Sequence, residues 1–409
     1  MMGGRPFMFL LKTAWDNICF HKKRSILSIL LIAVTSSTIL LYKGYVEYSE
    51  QGLAMSFIEA SGHIQVGYRN YDLQMNEVRR PMTKTEQGIV KDYFSSLPQI
   101  KKVDAILDFQ GIIGTEKNSK VFWGIAYDDP YTLGVTEGIP IFEEDASLVL
   151  GKGLFDALGL DLEKNNVINL MTTISDNELN SGSFEVSGYI DTGVPQNDAG
   201  LVIASRRALL EFFEEDDVAS KLRLYLESDE DVEEVQDRLI DYFNVDCLPF
   251  EVIDWKTLNP TYAQISNLFN IQFSVISFIL CILIFVSLMQ SIGSSFMERL
   301  NEFGTMEAIG LKKSSLIFSL VLEVFVLSIG GIVLGILFSY FGNFITETFN
   351  ITMTPPGYNK GFPLRFFITM RSMLITQSFI LLTCLIATLQ PIYTIGKLEV
   401  VKLMQHNQK

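Results

Sequence analysis

Four apolar runs, each bordered by charge, limit what this 409-residue chain can fold into. A peptide that crosses lipid must satisfy every backbone N–H and C=O internally, so such runs become helices. The first, Ser25–Tyr42, carries no charge over about 18 residues, the lower limit for a span. Lys43 follows it, with a stem able to reach the headgroups. The second lies within Tyr262–Met297 and centres on Ile271–Ile292. The third runs from Ser314 to Phe344, interrupted only by Glu323, and the fourth covers Ser372–Gly396. Basic Lys22, Lys23 and Arg24 precede the first run, as in a signal peptide. No small-x-small cleavage site follows it, so it is read as a retained anchor.

Charge partitions with this hydrophobic map. Residues 45–268 hold 40 acidic and 17 basic side chains, whereas the remainder holds 7 acids and 15 bases. The formal net charge of −15 therefore conceals an acidic block set into a basic frame. The block would repel nucleic acid, and no basic stripe suited to tracking phosphates is present. Lys and Arg in short flanks mark the cytoplasmic side. Arg5, Lys12, Lys22, Lys23 and Arg24 precede span one; Arg299, Lys312 and Lys313 lie between spans two and three; Lys397, Lys402 and Lys409 follow span four. Span parity then puts both termini in the cytoplasm and the acidic block outside, although Lys360, Arg365 and Arg371 in the second outer loop oppose the rule.

The expected fold is an α-helical membrane protein. It has four transmembrane helices and a large α+β extracytoplasmic domain between helices 1 and 2. The layout is a cytoplasmic segment 1–24, spans at 25–44, 266–297, 314–346 and 372–396, an outer domain 45–265, a cytoplasmic connector 298–313, an outer loop 347–371 and a tail 397–409. Cys247 is alone in the outer domain, so that domain holds no internal disulfide. It must rest on its own core, and about 220 residues suffice for one.

Within the outer domain, residues 45–60 have helical character and extend span one as a stalk. Gly62–Tyr68 alternates as a strand, Thr83–Leu97 reads as a helix and Lys102–Ile113 as a strand. Lys221–Leu226, Asp231–Phe243 and Phe250–Asp254 repeat the strand–helix–strand order. Two such halves suggest a split α/β layer. Between them lies a β-rich insert at about 130–215, with Ser147–Gly153, Val167–Leu170 and Phe184–Ile190 as strand-like pieces. Thr257–Ala263 returns the chain to the membrane as a second stalk.

Several chemistries are excluded. No Gly-x-x-x-x-Gly-Lys-[Ser/Thr] occurs; Gly151-Lys152-Gly153 lacks the upstream glycine and the hydroxyl that binds magnesium, so the chain is not expected to hydrolyse nucleotide. The three histidines, His21, His63 and His406, are far apart, which argues against a histidine-centred catalytic or metal site. No catalytic residue and no bound cofactor or metal are expected.

The connector carries the chemistry that remains. Residues 298–311 read Glu-Arg-Leu-Asn-Glu-Phe-Gly-Thr-Met-Glu-Ala-Ile-Gly-Leu. On a helix, Leu300, Phe303, Met306 (or Glu307) and Ile309 fall near one face. Gly304 permits close backbone approach, and Gly310 suits a C-terminal cap. A bare connector needs only a few residues, so the stretch reads as a docking helix for a soluble partner rather than as a polar link on the membrane surface.

This phrase resembles the signature of FtsX-like ABC permeases, the group containing MacB and LolC/LolE: Glu-Arg-x-x-Glu-Ile-Gly-x-x-[Arg/Lys]-Ala-[Ile/Leu]-Gly-Ala. Glu298, Arg299, Glu302, Gly304, Ala308, Ile309 and Gly310 match; Glu307 stands where a basic residue is common, and Leu311 replaces alanine. Glu323 followed by Gly330-Gly331-Ile-Val-Leu-Gly335 looks like the family's glutamate and glycine-rich run. Pro391 and Leu398–Met404 resemble its closing segment. Gly62–Val66, Leu148–Gly153 and Phe184–Gly188 look like the lipoprotein-release branch.

The resemblance implies mechanotransmission. A dimeric cytoplasmic ATPase, which binds ATP and magnesium, would grip Glu298, Arg299, Glu302, Phe303, Gly304, Met306, Ala308, Ile309 and Gly310. A second permease, identical or paralogous, would complete the membrane part, in the inner (plasma) membrane. It implies extraction of lipoproteins for a periplasmic carrier, with Tyr42, Tyr45, Leu268, Phe269 and Phe273 cradling acyl chains or forming an ordinary interfacial aromatic belt. A MacB-like efflux permease for drugs or peptides and an FtsX-like regulator of cell-wall hydrolases are the alternatives. Glu323 is costly in a span and should face a partner, either as a relay or in an interhelical hydrogen bond. Gly331 and Gly335 form a small-x-x-x-small ridge for packing within or between subunits.

Overall fold

Each apolar run folds as one helix in the structure, a computed structural model that describes residues 18–20, 22–69, 81–128, 135–141, 146–163, 167–173, 179–298, 313–354, 361–389 and 392–393. The four are α1 (Lys22–Ser61), α8 (Pro260–Glu298), α9 (Lys313–Thr348) and α10 (Met370–Ala387). All are long and apolar enough to cross a membrane. At about 1.5 Å per residue, α1 is about 60 Å long, twice the hydrocarbon thickness. The chain divides into two units. One holds Met1–Gln51, Ile265–Thr352 and Pro363–Lys409, the other Gly52–Gln264 and Met353–Phe362.

In the helical unit, small and polar side chains share the interior with apolar ones, while many large apolar side chains also face outward, unlike in a soluble bundle. The inner face of α1 includes Ser25, Ser28, Ala33, Ser36, Ser37 and Gly44. Ile32 and Ile39 of α1 pack with Cys281, Ile284, Leu288 and Ile292 of α8, Val324 of α9, and Ile380 and Cys384 of α10. Ile271, Val275, Phe278, Ile279, Ile282 and Val286 of α8 are exposed, a surface suited to lipid. Short strands β11 (Thr352–Met353) and β12 (Phe362–Pro363) pair between α9 and α10.

The second unit begins with β1 (Ile64–Tyr68), α2 (Lys84–Phe94) and β2 (Ile100–Gly114). It ends with β9 (Lys221–Leu226), α6 (Val232–Val245), β10 (Phe250–Asp254) and the short α7 (Trp255–Leu258). The strands lie antiparallel in the order β10-β1-β9-β2, the split β-α-β arrangement. Period-two side chains Ile64, Val66, Leu222, Leu224, Phe250 and Val252 form one face, covered by Val90 and Phe94 of α2 and by Val235, Leu239 and Phe243 of α6. Helix α2 starts at a capping box: the Glu86 N–H donates to Thr83 Oγ1 and the Thr83 N–H to Glu86 Oε2 at 2.8 Å. Tyr93 and Tyr242 stack between the two helices at 3.8 Å.

The insert between β2 and β9 contains β3 (Ser119–Tyr127), β4 (Glu137–Gly138), β5 (Ser147–Gly151), α3 (Lys152–Leu158), β6 (Val167–Thr173) and β7 (Leu179–Ile190). It continues through α4 (Pro195–Asp198), β8 (Leu201–Ser205) and α5 (Arg206–Phe212). Pairings β2–β3, β3–β8, β8–β5, β5–β7, β7–β6 and β6–β2 close a six-stranded ring. Closure removes free strand edges. Leu107, Phe109, Phe122, Leu150, Leu170 and Phe184 fill its interior, and Leu154, Leu158, Leu209 and Leu210 of α3 and α5 join them.

This differs from the expected insert at 130–215. The ring starts near residue 107, because the first half of β2 pairs with β9 while its second half pairs with β6. One uninterrupted strand serves both parts, so no loop marks the boundary. The stretch 147–153, expected as strand throughout, turns at Gly151 into α3, which ends at Gly159 with φ +70°. Where β2 changes partner, Lys221 and Asp108 form a buried ion pair at 2.7 Å, and Arg223 donates to the Tyr127 hydroxyl at 3.1 Å. Burial pushes the Lys221 ammonium down, against the pull of Asp108.

Gly111 marks the seam of the ring. A Cβ there would lie 1.9 Å from the Met171 carbonyl oxygen on β6. Gly111→Ala should therefore cost about 2–3 kcal/mol through overpacking. Gly88→Ala on α2, where a Cβ meets nothing within 4 Å, should stabilise by about 0.5–1 kcal/mol. Urea unfolding of the domain, followed by tryptophan fluorescence in the detergent-solubilised chain, checks both signs.

Candidate functional site

The connector residues Arg299, Glu302, Phe303, Gly304, Met306, Ala308, Ile309 and Gly310, and also Pro391, lie outside the described residues. Glu298, the last residue of α8, is described. Its Oε2 accepts from Arg24 Nη1 at 3.2 Å, and Arg24 Nη2 donates to Ser295 Oγ at 2.6 Å. One turn further, Ser28 Oγ and Ser291 Oγ are 3.3 Å apart. The Glu298 side chain is 56% exposed, so the ion pair itself contributes at most about 1 kcal/mol. Its effect is orientation: it ties the end of α8, where the connector begins, to the start of α1.

Glu323 of α9 is buried and borders the same polar cluster as Arg24, Ser28 and Ser291. A carboxylate inside a bundle needs such surroundings, because lipid offers none.

The glycine ridge packs within this chain. A Cβ on Gly331 would lie 2.6 Å from Ile32 Cβ, and one on Gly335 would lie 2.5 Å from Ser36 Oγ and 2.8 Å from the Ala33 carbonyl. Ser339, four residues on, continues the ridge and reaches Ser37 Oγ at 3.3 Å. The same Ser36 Oγ donates to Gln377 Oε1 of α10 at 2.7 Å. Small residues thus let α1 and α9 approach closely, and single hydrogen bonds fix their rotation.

At the opposite end of the spans, the predicted aromatic residues come together. Tyr42 stacks on Tyr45 at 6.2 Å and on Phe273 at 6.0 Å, and Phe269 meets Tyr45 edge-on at 6.2 Å. Leu268, adjacent in sequence to Phe269, is about half exposed. Lys43 Nζ lies 5.6 Å from the Phe273 ring centre. Glu50 accepts from Ser266 Oγ and from Asn270 Nδ2, the latter at 2.9 Å. The segment before α10 also docks here: the Phe367 N–H donates to the Gly44 carbonyl at 3.0 Å, and its ring meets Tyr48.

Sequence reasoning missed Arg24, Ser36, Gln377 and Glu50 as contact residues. Arg24 entered only as a topology charge, and its partner is 274 positions away. The available signal was the spacing of Ser291, Ser295 and Glu298, which puts three polar groups on one helix face.

The ridge predicts a cross-link. Ser37→Cys with Ser339→Cys should oxidise to an intrachain disulfide in membranes. Adding Gly335→Leu should cut its yield by about tenfold, since about 1.4 kcal/mol lies within the usual overpacking range. Gel mobility with and without reductant reads the result.

Residues 274–400 match the family model described as FtsX-like permease C-terminal. No curated protein sequence matches. Among solved structures, the periplasmic region of MacB from Actinobacillus actinomycetemcomitans aligns at 11% identity and a TM-score of 0.35, covering 50% of this chain and 94% of that one. The extracellular domain of the noncanonic ABC-type transporter YknZ from Gram-positive bacteria aligns at 13% identity and a TM-score of 0.34, covering 47% and 99%. The family match spans most of α8, the connector, α9 and α10, less than half of the chain, and likens that part to FtsX-like permeases.

Proposed function

We propose that this chain is the non-catalytic membrane subunit of a mechanotransmission ABC transporter that extracts lipoproteins from the inner membrane for a periplasmic carrier. The observation that carries the permease assignment is the FtsX-like match over 274–400, which includes the charged connector between two apolar helices. In this reading the termini and connector are cytoplasmic, and the α+β domain is outside. A separate dimeric ATPase binds ATP and magnesium, closes, and displaces the connector. That displacement enters α8 at Glu298 and reaches α1 through Arg24, because the two side chains are paired.

The aromatic group Tyr42, Tyr45, Phe269 and Phe273 supports the lipoprotein reading. It lies between α1 and α8, at the end of the spans away from Glu298, and its rings offer an apolar surface with polar tips. Acyl chains bury about 0.8 kcal/mol per methylene, so a short apolar cradle contributes substantially to holding a lipidated substrate.

The docking of the connector is tested by Gly304→Trp. A bulky ring in place of a glycine expected to permit close approach should lower recovery of the ATPase with the permease by about thirtyfold, the scale of a hot-spot loss of about 2 kcal/mol. The proteolytic pattern of residues 52–264 should stay unchanged. Full assembly and transport by the variant would refute the docking role of the connector.

A further inference from the structure

A small cavity lies inside the helical unit, walled by α1, α8 and α9. Its volume is about 20 Å³, and its polar lining is Arg24, Ser25, Ser28, Ser291, Ser295 and Glu323. A water needs about 10–15 Å³ of such space, together with two to four polar partners; apolar cavities of greater size stay dry. This cavity meets both conditions. Glu323 is only 7% exposed, and a carboxylate accepts several hydrogen bonds at once, so a water can join whatever other partner it has. Arg24 carries five N–H donors, of which its bonds to Glu298 and Ser295 use two. The serine hydroxyls both donate and accept, and they come from two different helices. Leu288, Ile292, Leu320, Val324 and Leu327 form the apolar part of the lining.

We propose that this cavity is a binding site for one water molecule, which bridges the Glu323 carboxylate on α9 to Arg24 and the serines of α1 and α8. The bridge completes a polar clasp. Glu298 and Ser295 of α8 hold Arg24 of α1 directly, and the water extends the connection to α9. Three helices are then joined at the level where the connector leaves the bundle. A water-mediated bond is nearly as favourable as a direct one and rearranges more easily, so the clasp holds the helices while allowing them to shift. The inference rests on the cavity and its lining, and stands independently of the transported substrate.

Hydroxyl-radical labelling generated by brief X-ray exposure, read by mass spectrometry on the chain in lipid nanodiscs, tests the site with water as its own probe. Leu288 lines the cavity and is 1% exposed; Ile284, one turn away on α8, is 0% exposed and does not line it. Leu288 should be oxidised at least about tenfold faster than Ile284. Ser291→Val, which adds bulk and removes a hydroxyl, should bring Leu288 down to the Ile284 rate. Glu323→Gln, which keeps the space and a carbonyl acceptor, should preserve the labelling. Equal rates at Leu288 and Ile284 in the unmodified chain would overturn the proposal without recourse to any variant, and so would undiminished Leu288 labelling in a folded Ser291→Val chain.

Discussion

Lipid supplies no hydrogen bonds, and the helical unit is organised around that constraint. Its polar side chains meet between helices, and most of those meetings involve α1. Arg24 and Ser28 face α8, Ser36 faces α10, and Ser37 with the surface around Ile32 and Ser36 faces the glycine ridge of α9. A helix with small and hydroxylated residues on its inner face is a good hub, since it lets three neighbours approach its backbone. Helix α8 is buried over only 22% of its apolar window, against 50% for α1, and presents the remainder outward.

The α+β domain solves a different problem, a long insertion between two neighbouring strands of one sheet. The solution is a long β2. Its first half completes the split β-α-β sheet and its second half opens the closed ring. The Lys221–Asp108 pair sits at that change of partner. A buried pair is weak evidence for stability, yet removing one member leaves a charge with nowhere to go. Its place at the change of partner fits a role in fixing register.

How legible this was depended on the range of the pattern involved. The spans were plain because each is a local apolar run. The two strand–helix–strand halves were plain because period-two strands and amphipathic helices alternate within short windows; Lys221–Leu226 and Phe250–Asp254 have the bounds the alternation implies. The ring was only partly legible. Its outer face exposes Ile112, Val121 and Met171, which blurs the alternation, and α3 and α5 follow their strands without a loop. The connector motif was the clearest functional signal, and it lies outside the described residues. The clasp was hidden for another reason: Arg24, Glu298 and Glu323 are far apart in sequence, and only the packing of three helices brings them to one cluster.

The central claim is that an FtsX-type permease transmits work from a separate ATPase to an outer domain. The most direct test is mass spectrometry of the complex purified from its own membranes, first without nucleotide and then after ATP addition. The account predicts an ATPase subunit and a second permease in the nucleotide-free complex, with a bound acylated protein that leaves when ATP is added. A chain that purifies without any ATPase would contradict the claim at its root. An ATPase accompanied by a periplasmic adaptor, with no acylated protein, would keep the permease and refute lipoprotein release.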